Sequence, residues 1–266
     1  LWVHPVGGGL SWFDRESNEL KPFYNEVGTD AWRFSNKLHA MMLDHQGNLW
    51  LGTHSKGLDK VTFFKNEFQL IKPQNCKYDT NANQVRSLCQ DSRKQLWIGT
   101  RNSKVSVYSL DFQLQGYLTV DGRISLTGTP FRGSAYKIIE DSKKNIWIAT
   151  KGNGIVQLIP QGSGYKMLHY TYDANDIYSL SHNNVYDLCE DSYGRIWVVT
   201  FGGGIDYIEK ESDGSVRFIN SRNNLKSYPM ERCYKARRML LDKKGMLWVA
   251  TSNGLLAFSE KFERPD

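Results

Sequence analysis

The chain has 266 residues with 34 Lys and Arg against 28 Asp and Glu, a net charge of +6. That excess is modest and scattered, so it favours an anionic ligand or surface without amounting to a nucleic-acid footprint. Aromatic residues reach 13%, which suits strands and argues against disorder, and there is no apolar run of 18 residues to span a membrane.

Along the chain, one short pattern returns. Trp2, Trp50, Trp97, Trp147, Trp197 and Trp248 are spaced 48, 47, 50, 50 and 51 residues apart. Each follows Leu or Ile and precedes an apolar residue. Three residues on stands Thr53, Thr100, Thr150, Thr200 or Thr251, with Pro5 in the first copy. Six residues before each Trp whose upstream sequence is present stands an acid: Asp44, Asp91, Asp141, Asp191 and Asp242. Asp, Asn and Gly fill the intervening five-residue gap, as in 44–48 and 191–195, and predict a turn. We therefore read the repeat acids as turn-formers, not catalytic carboxylates, and the six Trp as packing residues.

The element order within a copy follows. A short strand precedes the acid, as at Lys137–Ile139 and Val185–Cys189, and a second carries the Trp. After a glycine-bearing turn comes a third, at Leu10–Phe13, Leu58–Phe63, Val105–Leu110, Ile155–Ile159, Ile205–Ile208 and Leu255–Phe258. A fourth is predicted near Phe23, Phe68, Tyr117, Tyr165 and Phe218, and no helical period is present. A four-stranded sheet of this size cannot bury both faces alone, and radial stacking of like units solves that. The expectation is an all-β β-propeller of four-stranded blades in about six repeats, with residues 1–266 one propeller fragment. The first copy lacks its innermost strand and the last ends after its third, so four blades read as complete and two as partial. The chain opens inside an ordered motif without a signal peptide, and is read as an incomplete piece of a larger, seven-bladed propeller.

Cys89 and Cys189 occupy the repeat position held elsewhere by Met42, Ile139 and Leu240, so they are read as buried apolar fillers. Cys76 and Cys233 fall in predicted loops. The six His show no metal-ligand spacing, and no metal or cofactor is expected.

The segment 184–205, Asn-Val-Tyr-Asp-Leu-Cys-Glu-Asp-Ser-Tyr-Gly-Arg-Ile-Trp-Val-Val-Thr-Phe-Gly-Gly-Gly-Ile, with its lead-in Tyr178–Asn183, resembles the two-component-regulator propeller repeat. The resemblance extends through six copies. It implies the periplasmic sensor region of a hybrid two-component histidine kinase, reading breakdown products of polysaccharides and signalling to a kinase absent from this chain. It implies no catalytic residue here, no nucleic-acid contact and no direct membrane insertion. Partners would be an oligosaccharide, the rest of the parent chain and possible homodimer formation by that parent. Two other classes fit the repeats: a protein–protein interaction propeller and, less favoured, a propeller lyase or glycosidase. The last needs non-repeat acids or His residues to converge.

A propeller ligand meets the loops that enter each inner strand and the turns joining the second and third strands. The first set holds Trp32, Arg33, Arg132, His182, Asn183, Arg232 and Tyr234; the second holds His54, Arg101, Asn102, Lys151 and Phe201. Four residues after each Trp the copies read Val6, His54, Arg101, Lys151, Phe201 and Ser252, a variation that exposed, non-structural positions allow. Trp32, Tyr234 and Phe201 would offer apolar faces to a sugar, and the arginines would grip carboxylate or sulfate groups.

Overall fold

A computed structural model of the chain describes residues 1–4, 10–22, 38–54, 57–62, 71–73, 83–101, 104–211 and 214–261. The chain divides into two compact units, Leu1–Leu70 and Ile71–Asp266. The N-terminal unit holds two antiparallel sheets. One contains β1 (Trp2–Val3), β2 (Ser11–Asp14) and β3 (Glu19–Pro22); the other contains β4 (Leu38–Leu43), β5 (Leu49–Thr53) and β6 (Leu58–Val61). Leu10, Leu49 and Leu51 are buried between them, with Trp2, Leu38, Met41 and Val61 packed around.

The C-terminal unit holds four sheets. The first runs through β7 (Val85–Gln90), β8 (Leu96–Thr100), β9 (Ser106–Tyr108), β10 (Leu114–Leu118) and β11 (Ile124–Ser125). The second is β12 (Ser134–Glu140), β13 (Ile146–Lys151), β14 (Ile155–Gln161) and β15 (Gly164–Tyr170). The third is β16 (Val185–Glu190), β17 (Ile196–Thr200), β18 (Gly204–Lys210) and β19 (Val216–Ile219), and the fourth is β20 (Ala236–Leu241), β21 (Met246–Thr251) and β22 (Gly254–Ser259). Every sheet is a meander of strands consecutive in the chain. The inner strands β7, β12, β16 and β20 contact one another in succession, so the sheets are propeller blades with their first strands innermost.

Packing follows the repeat. Trp97 is buried against Ala135, Ile138, Ile146 and Ile148 of the next blade, Trp147 against Val185, Leu188, Ile196 and Val198, and Trp197 against Ala236, Met239, Leu247 and Val249. All three indoles are 0% exposed. Trp248, on the last blade, is 36% exposed, because no further sheet of its unit covers that face; Leu240 and Leu255 are exposed beside it.

The repeat acid does more than turn the chain. Asp141 Oδ1 accepts the amides of Lys143 and Asn145 at 2.9 and 2.8 Å, while Oδ2 accepts the Trp147 indole N–H at 2.8 Å. The same indole bond recurs at Asp44, Asp91, Asp191 and Asp242, at 2.8–2.9 Å. These carboxylates are turn-formers that also fix the ring filling the blade junction. Residue four of the turn is left-handed, with φ of 75–80° at Gly47, Gly194 and Gly245, and Lys94 and Lys144 adopt it too, at 62° and 69°. The repeat threonines close the following turn: Thr53, Thr150, Thr200 and Thr251 donate to the carbonyls of Gly57, Gly154, Gly204 and Gly254.

Neighbouring blades are also stitched at the turn side. Glu140 Oε atoms accept Ser92 N and Oγ at 2.8 and 2.7 Å, and Glu190 accepts the same pair from Ser142 at 2.8 and 2.6 Å. At the next junction Leu241 replaces the glutamate, and Glu260, at the end of β22, accepts Ser192 N at 3.0 Å instead.

Close approach at one junction yields a prediction. A Cβ on Gly99 would lie 2.4 Å from Ser87 Oγ and 2.7 Å from the Ala135 carbonyl of the next blade. Gly99→Ala should cost about 1–3 kcal/mol by overpacking, read as a lowered urea midpoint at unchanged m-value.

The structure departs from the sequence reading in several places. The β7–β11 blade has a fifth strand, because 119–130 form an extra hairpin stitched by Thr119–Pro130 bridging. The predicted fourth strands are present at Tyr117, Tyr165 and Phe218, whereas Phe23 and Phe68 lie outside the described residues. One short helix, α1 (Met230–Cys233), interrupts the all-β pattern; Cys233 is its last residue and is buried, not in a loop. Cys76 lies outside the described residues. Cys89 and Cys189 are half-buried at blade junctions, where burial pushes both thiols up and makes them poor nucleophiles. Ile139 is likewise packed, but Met42 and Leu240 at the same repeat position are exposed, each on the last sheet of its unit.

Candidate ligand-binding site

Each described inner strand of the blades carrying the repeat acid is broken at one place. Pairing with the Trp strand shifts between Leu38 and Ala40, Val85 and Ser87, Ala135 and Lys137, Val185 and Asp187, and Ala236 and Arg238. The skipped residue is His39, Arg86, Tyr136, Tyr186 or Arg237, eleven positions before the Trp in every copy. A bulge frees a residue from the ladder and re-aims its side chain, here at the inner ends of the blades.

In the C-terminal unit these side chains form one row. Arg86 lies over Tyr136 at 5.5 Å, Tyr136 stacks on Tyr186 at 4.9 Å, and Tyr186 stacks on Phe201 at 5.1 Å and 16°. Arg237 covers Phe201 at 4.8 Å, and Lys235 Nζ lies over both Phe201 and Tyr234, at 5.6 and 5.1 Å. Arg237 Nε also donates to Ser252 Oγ at 3.1 Å. The row is thus a stack of three aromatic rings with guanidinium and ammonium groups against its two ends, the pairing that cation–π attraction favours. In the N-terminal unit the same two repeat positions meet as His39 stacked on His54, 5.0 Å apart.

The sequence-derived candidates divide around this row. Phe201 is at its centre and Tyr234 at one end. His182 and Asn183 belong to the loop entering β16. His182 Nδ1 accepts Asn184 N at 3.0 Å and its ring lies against Gly202, where a Cβ would come within 2.5 Å. Asn183 is occupied in holding the loop: its carbonyl accepts Gly152 N and Gly154 N, and its Oδ1 accepts Tyr172 N at 2.7 Å. Lys151, exposed, bridges to Asn184, and Phe201 N bonds the Asn184 carbonyl, which brings Lys151, the loop and Phe201 together. Arg232, exposed on α1, is two residues from Tyr234. Arg132 bridges to Lys104, and Arg101 N bonds Gln84 O, as Phe201 N bonds the Asn184 carbonyl two blades further on. His54 lies in the N-terminal unit, and Trp32, Arg33 and Asn102 lie outside the described residues.

Sequence reasoning missed Arg86, Tyr136, Tyr186, Lys235, Arg237 and His39. The signal was present. Positions twelve and nine before the Trp are apolar throughout, while the two between them vary, which breaks strict alternation and marks a bulge.

The second varied position carries Asp187, whose side chain is 3% exposed. It accepts Met239 N of the next blade at 2.9 Å and Leu188 N at 3.0 Å, with Lys137 Nζ at 3.4 Å and Arg238 Nη1 at 3.8 Å. This acid is therefore engaged in joining three blades. Among the described residues, no group of three His, Cys, Asp or Glu side chains is arranged to hold a metal ion.

The comparison with known families agrees with the repeat geometry. The family model for the two component regulator propeller matches residues 34–55, 80–102 and 179–202. These three segments are similar to two component regulator propeller repeats. Each matched segment contains the bulged inner strand, the acid and the Trp described above. No curated protein matches the chain significantly. Among solved structures, the extracellular domain of the putative hybrid two component system BT3049 from B. thetaiotaomicron is 21% identical over all of this chain and 38% of its own, with a TM-score of 0.49. The extracellular domain of the putative one component system BT4673 from the same organism is 19% identical over 95% of this chain and 41% of its own, at 0.45. PorZ, a surface component of the type-IX secretion system of Porphyromonas gingivalis, is 17% identical over 97% and 37%, at 0.47. The chain thus spans less than half the length of these three neighbours.

Proposed function

We propose that this chain is part of the extracytoplasmic, periplasmic sensing region of a hybrid two-component sensor, and that it binds an oligosaccharide released from a polysaccharide. The kinase it informs would lie elsewhere in the parent chain, and ligand would act by favouring one arrangement of a parent dimer over another. On this reading the chain performs no chemistry. The observation that carries it is the Arg86–Tyr136–Tyr186–Phe201–Arg237 row. Aromatic edges and faces take up the apolar side of a pyranose ring, and flanking guanidinium groups bind carboxylate or sulfate in bidentate fashion. Lys151, Lys235 and Arg232 add positive charge at the same end, which favours an acidic sugar over a neutral one.

The test is a thermal-shift panel of neutral, uronate-bearing and sulfated oligosaccharides, followed by calorimetry on the best binder. A ligand raises Tm by mass action. An acidic saccharide should bind, and Tyr186→Ala and Arg237→Ala should each weaken it at least tenfold. Indifference to every saccharide, or a binder unaffected by both substitutions, would refute the assignment.

A further inference from the structure

Asp206, on β18, is fully buried and lies under the loop that carries His182 and Asn183. Its Oδ1 accepts Ser181 N at 2.9 Å and Asn220 Nδ2 at 2.9 Å, and its Oδ2 contacts Ser181 Oγ at 2.6 Å. The corresponding residues of the other copies are Ser11, Asp59, Ser106, Val156 and Leu256, so four of five blades do without an acid here. No ion pair to this carboxylate is formed among the described residues. The charged group in its reach is Arg222, whose nitrogens bond Ser179 Oγ and the carbonyls of Asp173 and Ala174.

The other groups around it are spoken for. On the loop, Asp173 Oδ1 accepts Asn175 N, Asp176 Oδ1 accepts Tyr178 N, and His182 turns to Asn184. From β17 comes the neutral Thr200, and from β16 Asp187 points to Met239. Next along β18, Tyr207 bonds Glu209.

We propose that the Asp206 carboxyl is a proton-operated latch for the 173–184 loop: protonated it holds the loop shut on β18, and ionised it favours an opened loop in which water reaches it. The hydrogen-bond chain is complete for the neutral acid. The proton on Oδ2 is donated to Ser181 Oγ, Ser181 donates to Thr200 Oγ1 at 3.1 Å, and Thr200 donates to the Gly204 carbonyl. The ionised form keeps its three donors but makes no direct ion pair at a fully buried position, with Arg222 acting only at a distance, a cost that opening relieves. Burial pushes this carboxyl from 3.8 up to about 7. A raised value means that the closed loop holds a proton the opened loop gives up. Closure is therefore strongest at acid pH and weakens as pH rises through about 7. Gly203 is what lets the loop seat, since a Cβ there would lie 2.3 Å from Ser181 Oγ. Any bearing on ligand capture rests on the site proposed above, because His182 and Asn183 ride on this loop; the opening itself does not.

Hydrogen exchange of the Ser181 amide tests the latch without a ligand. After correction for the intrinsic base-catalysed rate, its protection should fall at least tenfold between pH 5.5 and 8.5 in the unmodified chain. The exchange should be insensitive to low urea, as a local opening is. Asp206→Asn, which keeps the acceptor and donates permanently to Ser181 Oγ, should flatten the pH profile. A flat profile in the unmodified chain overturns the latch, and so does an unaltered profile in Asp206→Asn. A urea dependence equal to that of the β17 amides would overturn it too, because the blade would then be unfolding as a whole. If Asp206→Asn fails to fold, the pH and urea series on the unmodified chain decides alone.

Discussion

Asp141→Ala is expected to destabilise the C-terminal unit by about 3–4 kcal/mol, a large share of the roughly 5–15 kcal/mol of an ordinary domain. The side chain gives up bonds to Lys143 N, Asn145 N, Asn145 Nδ2 and Trp147 Nε1, all between 2.8 and 2.9 Å. The loss is severe because the last partner stays behind: Trp147 is 0% exposed between two blades, and its N–H would have no water to turn to. Trp147→Phe removes donor and partner bond while keeping most of the apolar fill, and should cost less, about 2 kcal/mol. In the double substitution the two effects should fall short of additive by at least 1 kcal/mol. Urea unfolding followed by the fluorescence of the remaining tryptophans measures all three variants.

The second large effect is at Asp187. Asp187→Ala should cost about 3 kcal/mol, since it strands Met239 N–H in a buried junction and leaves Lys137 and Arg238 facing each other without their shared anion. Much of that cost is expected to be recovered in Asp187→Asn, which retains an acceptor for Met239 N. Salt separates the two causes: added NaCl should relieve the cation repulsion in Asp187→Ala and leave the lost amide bond unrelieved. Equal midpoints for Asp187→Ala and the unmodified chain would contradict this account of the inner strands.

The fold was legible because its determinants are local and repeated. Trp97, Trp147 and Trp197 recur with the same neighbours because each does the same job, and the acid six residues earlier pairs with the indole within one hairpin. What exceeded the pattern came from single copies. Among the described residues the 119–130 hairpin and the one-turn helix at Met230–Cys233 each occur once, so no comparison between copies could reveal them. The site was half legible. Phe201 and Tyr234 followed from blade logic, whereas Tyr136, Tyr186 and Arg237 sit on strands read as plain scaffold, and only the pairing register shows them leaving the ladder. Asn183 looked like a contact residue by position, yet its oxygens are spent on Tyr172, Gly152 and Gly154. Asp206 carried no signal at all, because its burial depends on a loop arriving from 25 residues away.

The bulge has an evolutionary corollary. Five inner strands each offer one slot whose occupant has no partner in the pairing register, so His, Arg and Tyr are interchangeable there without disturbing the Asp–Trp hairpin that keeps the blade together. Chemical preference can then drift blade by blade while the scaffold stays under separate constraint. A library randomised at 39, 86, 136, 186 and 237 alone should remain largely folded while its members diverge in what they retain on a glycan array.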